Sequence, residues 1–186
     1  MSDADSAAAV TPSGVPGVEV TPFLEALGGQ VEERRTDGGN LAVLLVECGV
    51  ISRIDAVWGY QVGDSVRARV AQMLRTDVLR PGDLVCDMGR DDFACVLSSI
   101  DGPAVALLAA KKSLRALGTP FWIGEDEIYA SPAIGIAMFP AHGDQADTLL
   151  QRAKSACALA RDLDGSIADY GEDRDNLAAS KLLYEN

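Results

Sequence analysis

The sequence predicts an α/β fold of the α+β kind, in which helices flank a central mixed, mainly antiparallel sheet. A continuous apolar run from Leu41 to Val46 has the length and character of a buried strand. Segments with apolar residues at helical spacing alternate with such strand-like runs, and turn residues separate several of the strands. Helices that alternate with hairpin-forming strands are typical of this fold class.

The first hundred residues contain three predicted helices and three predicted strands. A helix is predicted over 21–35, before the apolar strand. Helical spacing then continues over 51–73, where two glycines interrupt it, so we expect two helices with a bend between them. The pattern over residues 84–100 predicts a hairpin, with two strands joined by a turn at 89–92.

The second half adds two helices, a further hairpin and a last short strand. Both tryptophans, Trp58 and Trp122, are expected in the core. The predicted elements are a helix over 103–117, a hairpin of 121–123 with 128–138, a helix over 144–161 and a strand over 166–170.

Charge and hydropathy exclude several classes of partner. The chain of 186 residues carries 28 acidic and 16 basic side chains, a formal net charge of −12. Nucleic acid and anionic lipid are both negatively charged, so neither is an expected partner. No apolar run approaches the roughly 20 residues that a membrane helix needs. We therefore expect no membrane association.

The cysteines indicate the redox environment of the protein, and the composition of the chain ends sets the predicted limits of the folded domain. Four cysteines are scattered in apolar contexts without a C-x-x-C pair, which is typical of buried free thiols in a reducing cytoplasm. Residues 1–20 are rich in Ala, Ser, Pro, Gly and Asp, so a disordered tail is predicted there. The folded domain is predicted over 21–171, and 172–186 follow it.

Acidic residues stand at the predicted turns and strand ends, where functional sites usually lie. Glu47 follows the apolar strand, and Asp91 and Asp92 lie at the tip of the central hairpin. A strand-end carboxylate beside a hairpin-tip carboxylate is a candidate site for Mg²⁺, which takes one or two carboxylates plus substrate phosphates. The candidate metal ligands are Glu47 and Asp91.

Five segments in order carry a resemblance to a known family. They are the acid-ended strand at 41–47, the segment 55–64 (DAVWGYQVGD), the segment 80–85 running into 88–94 (MGRDDFA), the strand 131–137 (SPAIGIA) and the helix 147–161. This order resembles the GGDEF domain, the diguanylate cyclase fold, over about residues 38–171. The resemblance implies a GGDEF-type sheet. It also implies an activity, the condensation of two GTP into cyclic di-GMP by two facing domains.

The resemblance also implies a nucleotide half-site, which in this chain departs from the family pattern. Arg90 fills the second glycine position of the signature turn, where a long side chain obstructs the approach of the nucleotide. Asp55 replaces a guanine-reading Asn, while Asp64 matches its guanine-binding counterpart in the family. Ser52 replaces a phosphate-binding lysine. The half-site residues are Asp55, Asp64, Gly89, Arg90, Asp91, Asp92 and Arg161. We expect no catalytic residue among them, no required cofactor, and Mg²⁺ only if GTP binds.

A second site implied by the family is the R-x-x-D product-inhibition site. Arg80 and Asp83 stand at that spacing before the signature turn. A guanidinium can bind phosphate or stack on guanine, while a carboxylate accepts guanine N–H groups. The alternative is structural, since a cation at a helix end and a Pro-Gly-Asp turn are both favourable without a ligand.

The predicted function is therefore a catalytically inactive GGDEF domain in cyclic di-GMP signalling. It is expected to bind cyclic di-GMP at Arg80 and Asp83, or a protein partner such as a second copy or an EAL domain. The alternatives are a weak diguanylate cyclase, a GTP-binding domain and a purely protein-interacting domain. Residues 172–186 are predicted to be a C-terminal tail or the start of a helix that connects to an EAL domain, and the sequence given carries no EAL motif.

Overall fold

The computed structural model describes residues 20–162 and 167–171. The predicted tail, except Val20, and the segment 172–186 lie outside these residues. The helices are α1 (Val20–Asp37), α2 (Ile51–Trp58), α3 (Tyr60–Met73), α4 (Pro103–Leu117) and α5 (Ala146–Arg161), and a π-helical segment (Leu74–Val78) continues α3. The strands are β1 (Asn40–Glu47), β2 (Leu84–Gly89), β3 (Asp92–Ile100), β4 (Phe121–Ile123), β5 (Asp126–Ile128), β6 (Ala133–Phe139) and β7 (Ile167–Asp169).

Five strands form the main sheet in the order β2-β3-β1-β6-β7. The pairs β2–β3, β3–β1 and β1–β6 are antiparallel, and β6–β7 is parallel. The remaining strands, β4 and β5, form a separate two-stranded sheet. The mixed, mainly antiparallel sheet flanked by helices confirms the predicted fold class.

The apolar character of β1 follows from its central place. Leu44 and Val46 face a core that includes Ile54 of α2 and Val70 of α3. The alternate residue Leu45 faces a second core that includes residues of α1 and α5. Successive side chains of a strand point to opposite faces, so a strand covered by helices on both faces must be apolar throughout.

The predicted second hairpin differs from the structure. A single strand over 128–138 is wrong, because β5 ends at Ile128 and β6 begins at Ala133 in the other sheet. Pro132 has no N–H to donate to a strand ladder, which favours a break at this point. The core position predicted for Trp122 is also wrong. Its residue is 62% exposed, while its neighbour Phe121 is buried, as alternation along β4 requires.

Close packing of α5 on β6 determines where the end of α5 lies. A Cβ added at Gly135 would overlap the backbone of Ala153 and Cys157, so no larger residue fits there without displacing the helix. This contact brings the α5 side chains Lys154 and Arg161 to the edge of the sheet where β1 ends.

All four cysteines are buried free thiols, as predicted. Burial raises the pKa of Cys95 and of Cys157 to about 12, so both thiols are protonated at neutral pH. Within the residues described, none of the helices is both long and apolar enough to cross a membrane.

Candidate functional site

The half-site residues gather where β1 ends beside the turn between β2 and β3. Glu47 is the register partner of Asp92 across the β1–β3 ladder. The turn itself has Gly89 at φ 86° and Arg90 at φ 55°. The left-handed region costs an L residue with a side chain about 1–2 kcal/mol, so Arg90 occupies a conformation that suits glycine better.

Asp91 is directed at the start of α2. Its Oδ1 accepts hydrogen bonds from the backbone N–H of Val50 at 2.8 Å and from that of Ile51, and its Oδ2 accepts one from the Ser52 hydroxyl. The first N–H groups of a helix lack intrahelical partners, and a carboxylate there satisfies them and complements the helix dipole. Asp91 therefore caps α2 from a distant part of the chain.

The other two carboxylates of this edge pair with α5. The Arg161 guanidinium donates to Glu47 Oε1 over 2.9 Å, and Lys154 Nζ lies 3.8 Å from Asp92 Oδ2. Burial raises the pKa of Glu47, although Arg161 opposes the shift. Burial likewise raises the pKa of Asp92, against the effect of Lys154. Desolvation is thus the larger influence on both groups.

Arg67 of α3 connects the remaining acidic residues. Its guanidinium lies 3.7 Å from Asp55, 3.9 Å from Asp64 and 3.5 Å from Asp87. It also donates a hydrogen bond of 2.6 Å to the backbone carbonyl of Arg90. The cation therefore stands between the two acids expected at the guanine-binding position and the signature turn.

Asp55 is held tightly at this point. A Cβ added at Gly63 would overlap the Asp55 carboxylate, so the bend between α2 and α3 brings the two helices into direct contact there. Among the residues that the structure describes, Asp55 Oδ1 is buried without a hydrogen-bond donor. The nearby Arg67 is the ion-pair partner of the same carboxylate.

The predicted Mg²⁺ ligands, Glu47 and Asp91, are engaged by other protein groups in this arrangement, and their metal-binding role stays a prediction. Both oxygens of Asp91 accept hydrogen bonds from the start of α2, and Glu47 is paired with Arg161. In the described part of the chain, no group of three or more acidic, His or Cys side chains is gathered as a metal site.

Arg80 and Asp83 lie before β2, at its opposite end from the signature turn. The Asp83 side chain is 1% exposed and accepts hydrogen bonds from the backbone N–H groups of Arg80 and Ser98 and from the Ser98 hydroxyl. The Arg80 side chain is 54% exposed, ion-pairs with Asp83 and donates to the Ser99 carbonyl. Asp83 was predicted to accept hydrogen bonds from guanine, and this role stays a prediction. In the structure its carboxylate accepts hydrogen bonds within the protein and stabilises the turn.

Sequence reasoning missed three charged residues of the half-site: Arg67, Asp87 and Lys154. One signal was available for Arg67, which follows Asp64 by three residues on the same helix and so shares its face. Asp87 and Lys154 lie on elements distant along the chain from the acids and cations that they meet. No local pattern indicated those contacts.

Comparison with known proteins identifies the family. The family profile described as "Diguanylate cyclase, GGDEF domain" matches residues 21–164. Diguanylate cyclase TpbB of Pseudomonas aeruginosa is 32% identical over 122 residues, 65% of this chain and 28% of TpbB. The bifunctional diguanylate cyclase/cyclic di-GMP phosphodiesterase MucR of the same species is 27% identical over 132 residues, 71% of this chain and 19% of MucR. The chain thus spans less than a third of the length of these relatives.

The fold agrees with a solved structure. The crystal structure of the GGDEF domain of TpbB superposes with a TM-score of 0.76 at 28% identity, covering 82% of this chain and 96% of that one. Sequence profile, relatives and fold all agree with the resemblance carried by the five ordered segments. The chain belongs to the GGDEF domain family, whose members include diguanylate cyclases.

Proposed function

We propose that this chain is a catalytically inactive GGDEF domain that acts as a binding module in cyclic di-GMP signalling. One observation carries the proposal: most charged groups of the nucleotide half-site are engaged by other groups of the protein. Arg67 is held by acids and by the Arg90 carbonyl, Arg161 is paired with Glu47, and Asp91 caps α2. These groups are engaged in holding the fold together.

Electrostatics add to this argument. A GTP triphosphate would meet six carboxylates around the turn, while the cations Arg67 and Arg161 already have acidic partners. Removing one transition-state donor costs about 100- to 1,000-fold in rate. Several donors and the second glycine differ here together, so turnover of GTP is not expected.

The exposed Arg80 is the best-placed group for a cyclic dinucleotide. Its side chain is 54% exposed, while Asp83 and the Ser99 carbonyl orient it from behind. A guanidinium presents a fork of N–H donors that suits phosphate and stacks on a purine. In this proposal Asp83 contributes by orienting Arg80. The free buried thiols favour action in the reducing cytoplasm.

A protein partner is the second candidate, supported by the β4–β5 hairpin. Trp122 is 62% exposed and Tyr129 is 56% exposed. Both are adjacent to Glu127, which is the register partner of Trp122 and a hydrogen-bond partner of Tyr129. Exposed aromatic residues are frequent at the centres of protein interfaces. A second copy of this chain or an EAL domain could be the partner.

Calorimetric titration with cyclic di-GMP tests the proposed ligand. We expect saturable binding by the parent protein, and Arg80→Ala to weaken it about ten- to a hundredfold, because a charge-assisted hydrogen bond is worth about 1.5–3 kcal/mol. The matched control is Arg115→Ala, another exposed arginine at a helix end. Absence of binding by the parent, or equal affinity in Arg80→Ala, would rule out binding of cyclic di-GMP at Arg80. Binding of a protein partner would then be the remaining candidate function.

A cyclase assay tests inactivity directly. Purified protein with GTP and Mg²⁺ or Mn²⁺ should form no cyclic di-GMP over many turnovers. Arg90→Gly restores the second glycine of the turn, yet it should recover little activity because Arg67 still occupies the half-site. Linear accumulation of product by the parent protein would refute the inactive assignment.

A further inference from the structure

We propose that Arg67 is an internal occupant of the nucleotide half-site, an autoinhibitory contact that closes the site to a guanine base. The inference deepens the proposed function, because it names the residue that keeps the half-site closed. It does not require that cyclic di-GMP binds at Arg80, which lies at the other end of β2.

The geometry joins four separate parts of the chain through one guanidinium. Asp55 belongs to α2, Asp64 to α3 itself, Asp87 to β2, and the Arg90 carbonyl to the signature turn. The Arg67 side chain is 19% exposed and that of Asp87 is 7% exposed, so this cation is much less accessible to solvent than Arg80. A partly desolvated pair interacts more strongly than a solvated surface pair.

The contact also supports the shape of the turn. Asp87 Oδ1 accepts a hydrogen bond of 2.8 Å from the Gly89 N–H and lies 3.5 Å from Arg67. Arg67 in turn donates to the carbonyl of Arg90, whose φ is 55°. Arg67 therefore fixes the turn on both sides, through Asp87 before it and through the Arg90 carbonyl within it.

The chemistry explains why the occupant excludes a guanine base in particular. A guanidinium directs several coplanar N–H donors at carboxylates and carbonyls. The N1–H and N2–H₂ edge of guanine offers the same kind of donor set, whereas adenine lacks the N2 donor. Arg67 pairs from within with the acids that a guanine would otherwise bind, at 3.7 Å from Asp55 and 3.9 Å from Asp64.

Chemical rescue of Arg67→Ala tests the assignment. We expect amide hydrogen exchange at Gly89 to become about tenfold faster or more, because Asp87 loses the cation that orients it. Millimolar guanidinium chloride should restore slow exchange, and sodium chloride at equal ionic strength should not. Arg69→Ala is the matched control, since Arg69 lies on the same helix but is exposed and stacks on Phe121.

Nucleoside binding separates an occupant from a merely structural residue. Arg67→Ala should bind guanosine at least about tenfold more tightly than the parent does, and adenosine should show no such gain. Exchange at Gly89 that matches the Arg69→Ala control, rescue by sodium chloride alone, or no gain in guanosine affinity would each overturn the proposal.

A measurement on the parent protein keeps the proposal testable if Arg67→Ala does not fold. The Arg67 Nη1–H that donates to the Arg90 carbonyl should exchange with solvent about tenfold more slowly than the Nη–H groups of Arg69, and equal rates would overturn the proposal. Binding of cyclic di-GMP should be unchanged in a folded Arg67→Ala variant. Absence of Arg80-dependent binding in the parent protein would therefore count against the proposed function alone, whereas its loss in Arg67→Ala would count against the separation of the two sites.

Discussion

Two arginines beside carboxylates, Arg67 and Arg80, illustrate opposite uses of the same pair of chemical groups. At Arg67 the cation is 19% exposed and the acids surround it, so the guanidinium is held inside the half-site. At Arg80 the acid is 1% exposed and the cation is 54% exposed, so the guanidinium is held from behind and faces solvent. The two ends of β2 therefore carry a closed cation and an open one.

The two arginines differ in exposure because the fold buries the acid of one ion pair and the cation of the other. Asp83 lies in the turn before β2 and satisfies backbone N–H groups there, which removes the acid from solvent. Arg67 projects from α3 toward acids on three elements, which removes the cation instead. A charged motif in a sequence is therefore open to a ligand only where the fold leaves its charged head exposed.

The largest expected effect comes from a substitution that disturbs the half-site through α5. Gly135→Ala places a methyl group against the backbone of Ala153 and Cys157, and we expect a loss of about 3 kcal/mol or more in the free energy of unfolding, measured by urea denaturation. Displacement of α5 should also weaken the Glu47–Arg161 pair, while the Arg80 end of β2 is unaffected.

The control for this substitution is Gly29→Ala in α1. A Cβ at Gly29 meets nothing within 4 Å, so alanine should stabilise the helix. Equal stability of Gly135→Ala and the parent would show that α5 is not held by close contact with β6.

A smaller effect is expected at the Arg80 end. Asp83→Ala removes a buried acceptor of three hydrogen bonds and should cost about 1–3 kcal/mol in the free energy of unfolding, because the Ser98 and Arg80 N–H groups lose their partner. Asp101→Ala removes an exposed carboxylate and serves as the control in the same urea denaturation. A stable Asp83→Ala variant that had lost binding of cyclic di-GMP would instead assign Asp83 to the ligand.

The smallest expected effect is a pH dependence at the half-site. Burial raises the pKa of Asp92, so the native state binds a proton more readily than the unfolded chain does. The contribution of this group to stability therefore falls as pH rises from the ordinary carboxyl range through its raised pKa. On acidification from neutral pH, the free energy of unfolding of the parent should rise relative to that of Asp92→Asn, because the variant lacks this titrating group.

Denaturant unfolding of both proteins at several pH values measures this difference. Asp101→Asn is the control for loss of an exposed carboxylate. A difference between the parent and Asp92→Asn that stays constant with pH, or that reverses its sign, would contradict the effect of burial on Asp92.

Much of the fold could be predicted because the relevant signals are local. The apolar run of β1 predicted its burial on both faces, and glycine at 59 correctly separated α2 from α3. The central hairpin was predicted from its turn residues. The error at 128–138 arose because two short apolar runs on either side of Pro132 belong to different sheets, which periodicity alone does not distinguish.

The sequence by itself determined which charged residues stand at the strand ends, the order of the family segments and the presence of an arginine in the signature turn. Only the tertiary structure decided which acid meets which cation. Glu47 and Arg161 are 114 residues apart, and Asp91 caps a helix that begins 40 residues before it. Periodicity relates neighbours along one element. Contacts between elements depend on how helices and strands pack, and that packing partly buried Arg67 and left Arg80 exposed.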